Sequence, residues 1–245
     1  MLVLINLESA VERRDHMVAQ LDALALRFER IGIDGRQRPR EEIDAWTRRR
    51  FGGIEFDRDL LSGAEVGCWL SHLCAWDLLR RRRDLRACTV IEDDLILDRQ
   101  FAEVAAALTR ESVHDVTYLG TSSRSISSQR RIHAGGCWLH EPIGTVFNTW
   151  GYVITREYVE RFFAMGDSRV GVPIDHFLGG RDARGSPRIA VLRPPVVSED
   201  SALGARSQIG PHTHRLDRWQ VVERARRRLL ASRIGNMYYA LYRWL

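Results

Sequence analysis

Glu92, Asp93 and Asp94 follow directly on the apolar run Cys88-Thr89-Val90-Ile91. Three adjacent acids behind a buried strand repel one another and resist desolvation unless a cation or hydrogen-bond donors neutralise them. Side chains alternate along a strand, so Glu92 and Asp94 are expected on one side and Asp93 on the other. That leaves two carboxylates to converge on one divalent ion or one ligand. Oxygen ligands favour Mg²⁺ or Mn²⁺ over softer metals. The plain alternative is a solvated acidic turn paired with nearby Arg.

Other reactive side chains are scattered. Cys68 and His72 lie four apart on one helical face; with no third ligand beside them in the sequence, Cys68 reads as packing and His72 as a satisfied imidazole. Asp175, with His176 next to it, follows Val172-Pro173 in an expected loop, where an Asx-turn or a helix cap competes with a chemical role. Trp69 and Trp76 stand at helical spacing and are core residues first. His212 and His214 look like part of a solvated turn.

The elements that would position these groups alternate. Leu2 to Leu7 reads as a strand, Val11 to Leu24 as an amphipathic helix and Arg27 to Ile33 as a second strand. An Arg-rich segment, Asp34 to Asp59, is expected to be helical from Glu41 to Arg50. Ser62-Gly63-Ala64-Glu65 matches a capping box, and Val66, Trp69, Leu70, Leu73 and Trp76 then predict a helix from Ser62 to Arg83. Glu65 is thereby assigned to the cap. Further expected elements are the strand ending at the acids, a helix from Phe101 to Leu108, a strand from Val116 to Leu119 and a mobile loop from Thr121 to Arg131. A strand from Thr149 to Ile154, a helix from Arg156 to Met165 and a strand from Ile189 to Leu192 complete the pattern. Alternating strands and helices argue for a layered α/β fold, in which ligands gather at the carboxyl ends of the strands.

These motifs, in this order, resemble those of the family-25 glycosyltransferases of lipooligosaccharide and lipopolysaccharide biosynthesis. The resemblance rests on Ile5-Asn6-Leu7 with Arg13-Arg14 downstream, on Glu65-Val66-Gly67-Cys68-Trp69-Leu70-Ser71-His72, and on Ile91-Glu92-Asp93-Asp94. Looser matches follow at Asp115 to Gly120, Gly151 to Ile154, Pro173-Ile174-Asp175 and Pro194 to Val197, so the resemblance spans about residues 2 to 200. The chain departs from the family pattern at Ser62-Gly63-Ala64, at Gly151 and after Val197, where Ser198-Glu199-Asp200-Ser201 blurs it.

The resemblance implies a GT-A-like, nucleotide-sugar-binding fold with a mixed central sheet flanked by helices. It also implies inverting transfer of a hexose, galactose or glucose, from a UDP-sugar donor to a saccharide or lipid-linked saccharide acceptor. On that basis Asp94, with Glu92 or Asp93, would hold Mn²⁺ or Mg²⁺ against the donor diphosphate, and His176 is a candidate third ligand. Asn6, Arg13, Asp93 and His72 are expected around the donor, Arg supplying a forked donor for phosphate. Inversion needs a base on the acceptor hydroxyl; Asp175 is the first candidate, and Glu92 joins it in the catalytic set. The family domain is expected over 1-205 and a basic helical extension over 206-245.

Composition bounds these readings. The chain has 245 residues, 44% of them hydrophobic and 28% charged, which excludes collagen-like, coiled-coil and wholly disordered classes. All 37 basic residues are Arg, and the net charge is +5. Runs at Arg48 to Arg50, Arg80 to Arg83 and Arg226 to Arg228 are either solvated helix ends or anion-attracting patches. The basic, aromatic segment from Asp217 to Leu245 is expected to form an amphipathic helix, either packed on the catalytic domain or lying on an anionic membrane. Four cysteines without disulfide-scaffold spacing and an amino terminus without a signal-peptide pattern favour the cytoplasm; the membrane reading of the carboxy-terminal segment would add a peripheral position at the inner membrane face. The longest run free of formal charge, Pro142 to Thr155, falls short of the ~20 residues that span a bilayer. Two other classes remain: a noncatalytic Arg-rich protein binding membrane or nucleic acid, and a metal-dependent phosphoesterase. No nucleic-acid motif is visible, and a two-metal esterase needs more ligands than flank the triplet.

Overall fold

The computed structural model of the chain describes residues 1–121, 132–134, 136–165, 168–180 and 187–204. Most of the loop expected over Thr121 to Arg131, the pair His212 and His214 and the basic helix expected from Asp217 lie outside the described residues.

The amino-terminal half runs β1 (Leu2–Ile5), α1 (Val11–Ala23), β2 (Glu29–Ile31), α2 (Arg40–Phe51), β3 (Ile54–Phe56), α3 (Gly63–Arg81), β4 (Ala87–Ile91), β5 (Leu95–Leu97), α4 (Phe101–Glu111) and β6 (Val116–Gly120). The remainder runs β7 (Ile132–Ala134), β8 (Cys137–His140), β9 (Gly151–Thr155), α5 (Arg156–Ala164), β10 (Ser168–Val170), α6 (Ile174–Gly179), β11 (Ile189–Arg193), β12 (Val197–Glu199) and α7 (Ser201–Gly204).

Eight strands form one mixed sheet in the order β2-β1-β4-β9-β6-β11-β8-β7. β1 pairs parallel with both β2 and β4, whereas β9 lies antiparallel between β4 and β6. Small two-stranded sheets join β3 to β10 and β5 to β12. The alternation of side chains divides the core into two layers. Val3, Cys88, Val90, Tyr118, Tyr152 and Ile154 face α3 and α5, while Leu2, Leu4, Ala87, Ile91, Leu119 and Val153 face α1 and α4.

α3 fits the sequence reading closely. Ser62 caps it, its hydroxyl accepting from the Glu65 N–H while the Glu65 carboxylate accepts from the Ser62 N–H. Ser62→Ala is expected to lower stability by about 1 kcal/mol, read as a lower urea midpoint at unchanged slope. A Cβ on Gly67 would stand 2.4 Å from the Ile33 carbonyl oxygen, so glycine lets the first turn of α3 seat against the loop after β2. Trp69, Leu70, His72, Leu73, Trp76 and Asp77 are all buried, which holds the helix rigidly beneath the sheet.

The Arg runs are not uniformly solvated. Arg50, Arg80 and Arg81 converge at 2.8–3.1 Å on Asp77, which is fully buried. Members of two of the three runs therefore neutralise an internal carboxylate. All four cysteines are free. Among the described residues no helix is long and apolar enough to cross a membrane.

Candidate functional site

β4 stops at Ile91, so the three acids sit in the turn between β4 and β5 rather than on the strand. Strand alternation therefore does not govern them, and the expected separation of Asp93 from Asp94 gives way to a shared partner. Arg13 Nη1 donates to Asp93 Oδ1 at 3.0 Å and to Asp94 Oδ2 at 3.2 Å. Its Nη2 donates to the Leu203 carbonyl at 2.8 Å, tying α7 to the same guanidinium.

Asn6 lies at the end of β1 and completes this latch. Its Nδ2 donates to Asp93 Oδ2 at 2.8 Å and to the Ala10 carbonyl at 3.0 Å, and its Oδ1 accepts from Arg30 at 3.3 Å. Both amide hydrogens are thus engaged within the protein, and Asp93 accepts from Asn6 and Arg13. The sequence reading expects Asn6, Arg13 and Asp93 around the donor; the structure brings the three together, as a buried carboxylate needs pairing.

Asp94 is only half engaged. Its Oδ1 is buried and has no hydrogen-bond partner. Burial, aided by repulsion from Glu92, Asp93 and Glu199 and opposed by Arg13, raises its pKa to about 7. Glu199 reaches this corner because the Asp200 N–H donates to the Asp94 carbonyl, folding the chain after β12 over the acidic turn. Nothing in the sequence singles out Glu199, since 105 positions separate it from Asp94 and the contact is made through the backbone.

Glu92 points into the molecule. It accepts from the Thr149 hydroxyl, and its Oε1 lies 3.6 Å from His72 Nε2. Burial works to raise its pKa, but the His72 imidazole, the Thr149 hydroxyl and Arg13 outweigh this and hold it below the ordinary value. His72 is completely buried, with Nδ1 at 2.7 Å from the Tyr152 hydroxyl. It thus sits at the inner wall of the site, behind Glu92.

Asp175 is not in a loop but in the first turn of α6, after Pro173. It is partly buried and close enough to Cys68 and Tyr118 to raise the pKa of both, burial being the larger cause in each case. The Tyr118 hydroxyl is buried without a hydrogen-bond partner on the same side. His176 turns instead to Phe147, edge-on at 5.4 Å. It is absent from the described group of three metal-capable side chains whose ligand atoms lie within 4.8 Å of one another; that group is Cys68, His72 and Glu92. A divalent cation nevertheless fits the acidic turn: Asp94 Oδ1 is an orphaned buried oxygen among carboxylates that outnumber the one guanidinium.

Beside this corner, at the carboxyl ends of β1 and β2, lies a cavity of about 750 Å³. Leu7, Ser9, Asp34, Arg38, Trp46 and Arg49 contribute to its walls. Its volume suits a nucleotide-sized ligand, and its place outside the strand ends is where open α/β sheets bind ligands.

Comparison with known proteins points the same way. The profile described as "Glycosyltransferase family 25 (LPS biosynthesis protein)" matches residues 1–178. A "Glycosyltransferase 25 family member" of Drosophila melanogaster is 25% identical over 182 residues, covering 71% of this chain and 29% of the relative. One of Anopheles gambiae is 28% identical, over 71% of this chain and 30% of the relative. "Procollagen galactosyltransferase 2" of Mus musculus is 24% identical over 183 residues, covering 71% of this chain and 29% of the relative. The chain thus spans about three-tenths of the length of these relatives. The mixed sheet with helices on both faces is consistent with a GT-A-like glycosyltransferase fold.

Proposed function

The chain belongs to glycosyltransferase family 25, and on that premise we propose that it transfers a hexose from a UDP-sugar to a saccharide acceptor with inversion, assisted by Mn²⁺ or Mg²⁺. The observation that carries this reading is the half-free Asp94 carboxylate at the end of the central strand β4. Asp94 Oδ1 is the oxygen available to a cation, and Glu92 and Glu199 add negative charge around it. A divalent ion held there supplies countercharge for the diphosphate that leaves with the nucleotide.

The neighbouring cavity suits the nucleoside. Trp46 offers an aromatic wall, and Arg38, paired with Glu42, and Arg49 offer cations beside the carboxylates of Glu8, Asp34 and Glu41. Trp46→Ala is expected to weaken UDP about tenfold in calorimetric titration, because base stacking on an aromatic ring is worth roughly 1–3 kcal/mol. Unchanged affinity would move the nucleoside elsewhere.

Asp175 is the proposed base, accepting the proton of the acceptor hydroxyl as that oxygen attacks the anomeric carbon. Cys68 feels the charge of both Asp175 and Glu92, which supports a place for Asp175 near Glu92. Glu92 suits the role less well, since its carboxylate already accepts from Thr149 and faces His72. Asp175→Asn should keep UDP affinity while transfer falls roughly 10²-fold; normal turnover in that variant would exclude the role.

Galactose is the first donor to test, since relatives carry that sugar in their names. The acceptor we favour is a lipopolysaccharide saccharide, after the description of the matched family, met in the cytoplasm at the inner membrane face. The Arg-rich binding reading loses support because Arg50, Arg80 and Arg81 are engaged with Asp77. Incubation with UDP-galactose or UDP-glucose, each with and without saccharide acceptors, tests the proposal. Acceptor-stimulated release of UDP from one donor is expected, and no release from any UDP-hexose would contradict it.

A further inference from the structure

The strongest feature the transferase reading leaves unused is the group behind Glu92. Cys68 and His72 are one turn apart on α3, and their Sγ and imidazole nitrogen share with a Glu92 oxygen a space no wider than 4.8 Å. His72 is fully buried, yet its Nε2 has no hydrogen-bond partner and lies 3.6 Å from Glu92 Oε1. The imidazole and the carboxylate stand at ion-pair distance with the thiol beside them, a spacing that a single cation bound by all three side chains would also satisfy.

We propose that Cys68, His72 and Glu92 form a second metal site, selective for a borderline-soft divalent cation of the Zn²⁺ class and separate from Asp94. The donor set is one sulfur, one nitrogen and one oxygen, which suits Zn²⁺ and disfavours Mg²⁺ and Ca²⁺, whose shells are built from oxygen. Three protein ligands leave the fourth tetrahedral position free, and Cys68 and Glu92 are only partly buried.

The support around the imidazole is already built. Nδ1 lies 2.7 Å from the Tyr152 hydroxyl oxygen, which also accepts from Trp76 Nε1 at 3.0 Å. The His72 ring stacks on Tyr152 with centroids 5.6 Å apart. When Nδ1–H donates to Tyr152, Nε2 presents its lone pair to the cation, the outer-shell arrangement that orients a ligating histidine. Coordination of Cys68 releases its thiol proton to solvent, while Glu92 binds as the carboxylate it already is. Glu65, Asp94 and Asp175 add negative charge around the thiol.

Titration of the full chain with Co²⁺ as the probe tests the site. We expect one equivalent to bind with intense tetrahedral visible bands and a thiolate-to-cobalt charge-transfer band, both removed by one equivalent of Zn²⁺. Cys68→Ser should abolish the charge-transfer band while keeping the far-ultraviolet dichroism of the folded chain. Glu92→Gln should weaken Co²⁺ at least tenfold, and Asp94→Asn should leave the spectrum intact. No Co²⁺ binding, weak octahedral bands without charge transfer, or a charge-transfer band that survives in Cys68→Ser would each overturn the proposal. Because Asp94→Asn removes the carboxylate assigned to the donor's cation, a spectrum retained in that variant separates this site from the transferase reading, and either can fail alone.

Discussion

Asp94→Asn is expected to lose sugar transfer roughly 10³-fold and at the same time to become more stable in mild alkali. The loss follows from removing the carboxylate assigned to the countercharge of the leaving diphosphate, an electrostatic contribution of roughly 3–4 kcal/mol. The gain follows from linkage. In the folded chain the Asp94 pKa is raised from 3.8 to about 7. The stability associated with this group is therefore present below about pH 4 and is lost as pH rises through about 7. Asparagine cannot ionise, so at pH 8 the variant escapes a cost bounded above by about 4 kcal/mol, and near pH 4 the two chains should converge. Thermal unfolding at the two pH values, beside UDP release from the donor, measures both effects. A variant that is inactive and also less stable at pH 8 would mean that Asp94 serves the fold rather than a cation.

Arg13→Met is expected to be the most destabilising change in the acidic corner. It removes the donor to Asp93 and Asp94 and frees the Leu203 carbonyl, leaving Asp93, 7% exposed, with Asn6 as its remaining side-chain partner. Breaking a buried pair by deleting one member costs about 3–5 kcal/mol, since the surviving charge stays desolvated. Asp93 already has a raised pKa because of burial, partly offset by Asn6 and Arg13. Without the guanidinium it rises further, so the penalty should be largest near neutral pH and shrink in acid as Asp93 takes up its proton. Urea unfolding of both chains at pH 5 and pH 8 reads this directly. An equal penalty at both values would mean that packing of the Arg13 stem, and not its charge, holds α1 to the acidic turn.

Local signals in the sequence carried well into the fold. The capping box at Ser62 and Glu65, the spacing of Trp69, Leu73 and Trp76, and the apolar run into Glu92 each depend on residues close along the chain. What could not be read is what distant segments do to one another. The resemblance implies a mixed sheet, as found, but the place of β9 between β4 and β6 is a non-local choice that no residue near β9 announces. Asp93 carries the same side chain as Asp94, but Asn6 and Arg13, 80 or more positions away, decide that one is latched and the other half free. His176 looks equivalent to Asp175 as a site residue until α6 turns it onto Phe147. Cys68 and His72 gain their third partner only because α3 packs behind the end of β4, which brings Glu92 to them.

Calorimetric titration of UDP into the chain, with and without Mn²⁺, tests the central claim most directly. The account predicts that UDP binds with Mn²⁺ present, binds much more weakly without it, and loses this dependence in Asp94→Asn. Equal affinity for UDP with and without Mn²⁺ in the native chain would contradict it.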